Sequence, residues 1–207
     1  MTTVERVRAG LVSASDLYGV GRPAPARRHL ARAETIYAAQ LGRGTRARDR
    51  LLYREIVAAF AVVDMGMRER EQLIVVRDRL GLLSGQLLDG SEELLVPAAA
   101  RNDAGARALV LSDTLAEMQG TYAAGLADGD AFAVEHAYGL LVRAQSQARG
   151  LAPSLGEQRE AVIEALSTLR TRAFPLGIMR PPSAAPASEM SARTERIRGA
   201  LEERYRL

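Results

Sequence analysis

The chain is 207 residues long, 47% hydrophobic and 26% charged, with a formal net charge of +3. It has neither cysteine nor lysine, and all 28 basic residues are arginine. That excludes disulfides, thiolate metal sites, cysteine nucleophiles, lysine Schiff bases and Walker-type phosphate sites.

The basic charge is concentrated early. Residues 1–54 hold eleven arginines against four acids, and the remainder holds seventeen against twenty-one. Ala, Leu and Arg dominate, a helix-forming composition, and no run alternates apolar and polar residues with period two. The sequence contains nothing approaching the roughly 18–20 apolar residues of a membrane span. Its start lacks the apolar core of a signal peptide. As written it reads as cytoplasmic, or as extracytoplasmic if a signal peptide has been removed.

In chain order, the first expected helix covers about 3–19, with Val4, Val7, Leu11, Ala14 and Tyr18 on one stripe. Gly19 and Gly21 stop it, and Pro23 and Pro25 restart the chain at a helical first turn. A second helix, about 24–41, turns Ala26, Leu30, Ala33, Ile36, Tyr37 and Leu41 inward and ends at Gly42 and Gly44. A long third helix is expected from Thr45 to Leu88, spanning roughly 60 Å if unbroken. Gly66 is its expected weak point, and Asp89-Gly90-Ser91 closes it. After a connector over 91–103, helices follow at about 104–126, 131–149 and 156–174. Asp130 is an N-cap and Pro153 a separator. Pro181 to Ala187 reads as a polyproline-like linker, and a charged last helix covers about 188–206.

The only two histidines expose a duplication. Leu11 and Tyr18 are seven positions apart, as are Leu115 and Tyr122. His29 follows its tyrosine by eleven and His136 by fourteen; Arg54-Glu55 and Arg159-Glu160 come twenty-five and twenty-three later. The expected fold is therefore all-α: tandem antiparallel helical hairpins in a bundle, with the long third helix bridging two repeats. The expected divisions are 1–90, 91–180, a Pro/Ala linker at 181–188 and a C-terminal helix at 189–207.

Two constellations carry candidate chemistry. His29 and His136, with Glu135 beside the latter, would form a shared site for iron or another transition metal if the hairpins brought them together. No Glu-x-x-His or His-x-x-x-His pair supports it. Arg43, Arg46, Arg48, Arg50 and Arg54 fall within twelve residues that contain one acid, Asp49. They suit a polyphosphate or a nucleic-acid backbone, without the motifs of sequence-specific reading. Asp128 and Asp130 make a turn, not a calcium loop. Nucleophile and dinucleotide motifs are absent.

Leu17-Tyr18-Gly19-Val20-Gly21-Arg22 and Tyr122-Ala123-Ala124-Gly125, with His136-Ala137-Tyr138, resemble the helical extensions that lie outside the membrane in bacterial high-affinity, oxidase-dependent iron permeases. The likeness covers roughly 10–65 and 110–172. It implies a soluble accessory domain in metal-ion uptake. The permeases' Arg-Glu-x-x-Glu motif is missing at both Arg54-Glu55 and Arg159-Glu160, so iron binding by residues does not carry over.

The residues themselves read as a non-enzymatic helical scaffold or interaction module without a cofactor. Its partner would be a protein or a second copy meeting an exposed helix face, on the last helix or on the Leu73–Leu87 stripe. The alternatives are the two-histidine metal bundle and the arginine-cluster anion binder.

Overall fold

In the computed structural model, described for residues 1–179 and 185–207, every regular element among the described residues is helical. The chain divides into two units, Met1–Ala98 and Ala99–Leu207.

In the first unit, α1 (Thr2–Gly19) and α2 (Pro23–Tyr37) form the expected hairpin. Gly42 and Gly44 do not end α2. The helix widens into a π-helical turn, Ala38–Gly42, and continues as α3 (Arg43–Arg48). A Cβ on Gly44 would stand 2.7 Å from a methyl of Leu95. This glycine therefore serves close packing rather than termination. The break comes at Asp49, which is extended and caps α4 (Arg50–Arg68). Its carboxylate accepts from the backbone N–H groups of Leu51 and Leu52, both at 2.9 Å.

The long third helix is not continuous, and it breaks near Gly66, just beyond it. It stops after Arg68, where Arg70 takes a left-handed φ of 56° and Glu71 N–H donates to the Gly66 carbonyl at 2.9 Å. That is a Schellman-type C-cap with arginine in glycine's usual place. The Tyr18 hydroxyl pins this turn by donating to the Glu71 carbonyl. The chain then reverses into α5 (Leu73–Leu82), a π-helical turn (Leu83–Leu87) and α6 (Leu88–Leu95). Asp89-Gly90-Ser91 passes through helix, because Arg8 and Thr45 satisfy its side chains. Val96, extended ahead of Pro97, ends it.

In the second unit, a short α7 (Ala98–Asn102) straddles the boundary and α8 (Ala104–Asp128) begins at the cap Asp103. Gly129, at φ 66°, makes the turn, and Asp130 caps α9 (Ala131–Leu155) by accepting from Phe132 N–H. Pro153 lies inside α9 rather than after it; Gly156 ends the helix. A 3-10 turn (Gly156–Gln158) leads into α10 (Arg159–Ala173). Of the linker expected at 181–188, residues 181–184 lie outside the described residues, and its last two positions, Ala187 and Ser188, are already helical. The last helix, α11 (Ala187–Tyr205), packs on α8 and α10 with Met190, Ile197 and Leu201 buried. It completes the second unit instead of presenting a free apolar stripe.

The two units share one topology. In the first, α1 touches α2 and α5, and α4 touches α2 and the α5–α6 rod. In the second, α8 touches α9 and α11, and α10 touches α9 and α11. Tyr18 donates from α1 to a carbonyl just before α5; Tyr122 donates from α8 to the Ala185 carbonyl just before α11, at 2.6 Å. The duplication thus covers four helical rods, not a hairpin. Fully buried side chains such as Leu11, Leu30, Ile56 and Phe60 in one core, and Leu111, Leu115 and Tyr122 in the other, stabilise each bundle. Such burial contributes about 1.5–3 kcal/mol per large side chain. Phe174 closes the second core edge-on to Tyr122 and Tyr138, with ring centroids 5.7 and 5.2 Å away.

Candidate functional site

The histidines belong to different units. His29 lies fully buried on α2, and His136 half-buried on α9 beside the buried Glu135. Adjacent helical residues point about 100° apart, so Glu135 and His136 do not converge. Among the described residues no group of three or more His, Asp or Glu side chains is placed to hold a metal ion.

The arginine cluster is different. Arg43, Arg46, Arg48, Arg50 and Arg54 are all exposed, on α3 and the first turns of α4. Asp49, the single acid in their stretch, is occupied as the α4 cap. Among the described residues no carboxylate forms an ion pair with any of the five. Arg46 lies over the ring of Tyr53 at 5.8 Å, a cation–π contact that holds its guanidinium at the surface.

A chain of buried contacts fixes this surface. Arg8 on α1 lies on the core side of its helix, where its guanidinium bonds Glu5 at 2.6 Å, Glu92 at 3.2 Å, Asp89 and the Ser84 carbonyl. Burial works to lower its pKa, but Glu5, Glu92 and Asp89 outweigh that and raise it above the ordinary arginine value. The clamp holds α6 on α1. Ser91 of α6 in turn bonds Thr45 of α3 at 2.7 Å, both buried, and Leu95 fills the space over Gly44. Tyr37 is buried beside this pair; burial raises its pKa while the Thr45 and Ser91 hydroxyls pull it back. The basic helix therefore stands on a rigid base.

The helix that follows carries an apolar face. On α4, Ile56, Phe60, Val63 and Met67 point into the core. The opposite side carries Leu51, 66% exposed, Val62, 38%, and Met65, 47%, with Ala58 and Ala61 between them also exposed. The two faces expected to be open are not: the Leu73–Leu87 stripe turns Val76, Leu80 and Leu83 inward, and α11 is docked.

Sequence reasoning missed Arg8, Ser91 and the outer face of α4. Arg8 was detectable, because it follows Val4 by four and precedes Leu11 by three, inside the apolar stripe. Thr45 and Ser91 carry no local signal; only the fold joins them. No family model, curated protein or solved structure matches this chain.

Proposed function

We propose that the chain is a non-enzymatic interaction module whose working surface is the outer side of α3 and α4. The observation that carries this reading is the adjacency, on α3 and α4, of five exposed guanidiniums that no carboxylate pairs among the described residues and an uncovered apolar face of α4. Unpaired cations steer an anionic partner and set its orientation. Exposed Leu, Val and Met side chains supply the burial that makes an encounter last.

A photo-crosslinking residue at position 58, compared with one at the exposed Glu164 of α10, tests this in the cell of origin. The reading expects discrete protein adducts from position 58 and none from 164. No adduct at 58, or the same adducts at both, contradicts it. The arginine cluster also favours a second reading, a plain polyanion site. Its mark is polyphosphate binding that falls steeply with salt and ignores the α4 apolar face.

A further inference from the structure

Resting on that reading, we infer that the partner is an amphipathic helix, acidic at one end and apolar along one stripe, lying lengthwise along α4. Leu51, Ala58, Val62 and Met65 are seven, four and three positions apart, so they form one line along the helix. The line is about 21 Å long at 1.5 Å per residue. Ala58 and Ala61 leave its middle flat, which lets a second helix axis approach to about 8 Å.

Charge is graded along that line. Arg43, Arg46 and Arg48, exposed on α3, and Arg50, exposed in the first turn of α4, lie at the end of α4 where the line starts. Near its far end, Asp64 is held by Arg27 at 2.7 Å and by Arg68 at 2.9 Å. The surface thus asks for carboxylates at one end of its occupant and apolar side chains beyond them.

Other occupants fit less well. A second copy in parallel register would set each arginine against its own like. In antiparallel register centred on Ala58, Arg54 of each copy would be set against Val62 of the other, a charge against the apolar line. A nucleic-acid backbone would satisfy the arginines but leave the apolar line bare. A bilayer surface would take bulky or aromatic side chains rather than alanines, and would press Glu55, exposed beside the line, against anionic headgroups.

The test uses the full chain and a fluorescent helical peptide with a Leu/Ala stripe and a Glu-rich end. Its controls are a scrambled peptide of equal composition, inorganic polyphosphate and phosphatidylserine vesicles. Anisotropy and co-sedimentation give the affinities, for the native chain, Val62→Asp and Arg46→Glu/Arg48→Glu; thermal melts confirm that the exposed-site variants remain folded. The inference expects the patterned peptide to bind at least about tenfold tighter than the scrambled one, a difference near 1.4 kcal/mol. Each variant should remove that preference. Equal binding of both peptides, or tighter binding of polyphosphate or vesicles that Val62→Asp leaves unchanged, overturns the helix partner while α3–α4 stands as the working surface. Binding of no probe overturns both.

Discussion

The two bundles use the same polar tie with its ends exchanged. Ten positions before Tyr18 stands Arg8, and ten before Tyr122 stands Ser112. Thirteen positions after Glu71 stands Ser84, and thirteen after Ala185 stands Arg198. Arg8 Nε donates to the Ser84 carbonyl at 3.2 Å; Arg198 Nε donates to Ser112 Oγ at 3.1 Å. The geometry is common, but the environments differ. The Arg8 side chain is 8% exposed and holds three carboxylates, whereas that of Arg198 is 28% exposed and pairs with one, Glu195, among the described residues. A buried charge is costly to strand, while a half-exposed one is rescued by water. The first unit has therefore committed its closure to ionic contacts that also position α6 and, through Ser91, the basic helix α3.

Breaking the tie in each unit gives the largest expected effects. Arg8→Ala takes the guanidinium away from the buried Glu5 and the half-buried Glu92 and is expected to destabilise the first unit by about 3–5 kcal/mol. Arg198→Ala should cost the second unit about 1 kcal/mol or less. Calorimetry of the full chain measures both; equal losses would erase the contrast.

The tyrosines sharpen it in the other direction. Tyr122 is fully buried, and its hydroxyl bonds the Ala185 carbonyl. Tyr122→Phe should cost about 1–3 kcal/mol, because a buried acceptor is orphaned. Tyr18→Phe, at a part-buried turn, should cost about 1 kcal/mol. Urea melts of the two variants rank them, and the reverse order would mean that the equivalent bonds do not follow burial.

Acid should reach the first unit through Asp64, which joins α4 to α2. Hydrogen bonding from Arg27 holds its carboxyl below the usual carboxylate range, outweighing partial burial. Its native pKa is depressed, so its stabilisation is full above the unfolded value of about 4 and is lost as pH falls through the native one. Stability of the native chain should decline over that window. In Asp64→Asn the decline should be shallower, and an identical slope would remove Asp64 from the account.

At the outer face the expected stability effect is smallest. Val62, 38% exposed, lies on the side of α4 away from the core, and Val62→Asp should shift stability by no more than about 0.5 kcal/mol, even though it removes peptide binding. A large loss of stability would mean that this face packs within the protein.

How far the sequence could be read follows from what each signal encodes. Tyrosine, histidine and Arg-Glu spacings revealed the two hairpins because apolar period and repeat length are local properties. The last helix was legible as a helix, but its docking as the fourth rod of the second unit was not, and the fourth rod of the first unit escaped. On α11 only Met190, Thr194, Ile197 and Leu201 are buried, a narrow line amid charge. The α5–α6 rod was hidden inside one expected long helix. Its true end is an Arg70 turn with neither Gly nor Pro, secured from a distance by Tyr18. Gly42, Gly44 and Pro153 were read as punctuation, yet all three lie within helical segments. The arginine cluster was visible as composition. That its guanidiniums are exposed, unpaired and set beside an apolar face depends on which side of α4 the core claims.

The most direct measurement is amide hydrogen exchange on the full chain, with and without the patterned acidic peptide. The account predicts new protection confined to α3 and α4, with the second unit unchanged. Protection centred on α11 or the α8–α9 hairpin, or none at saturating peptide, would contradict it.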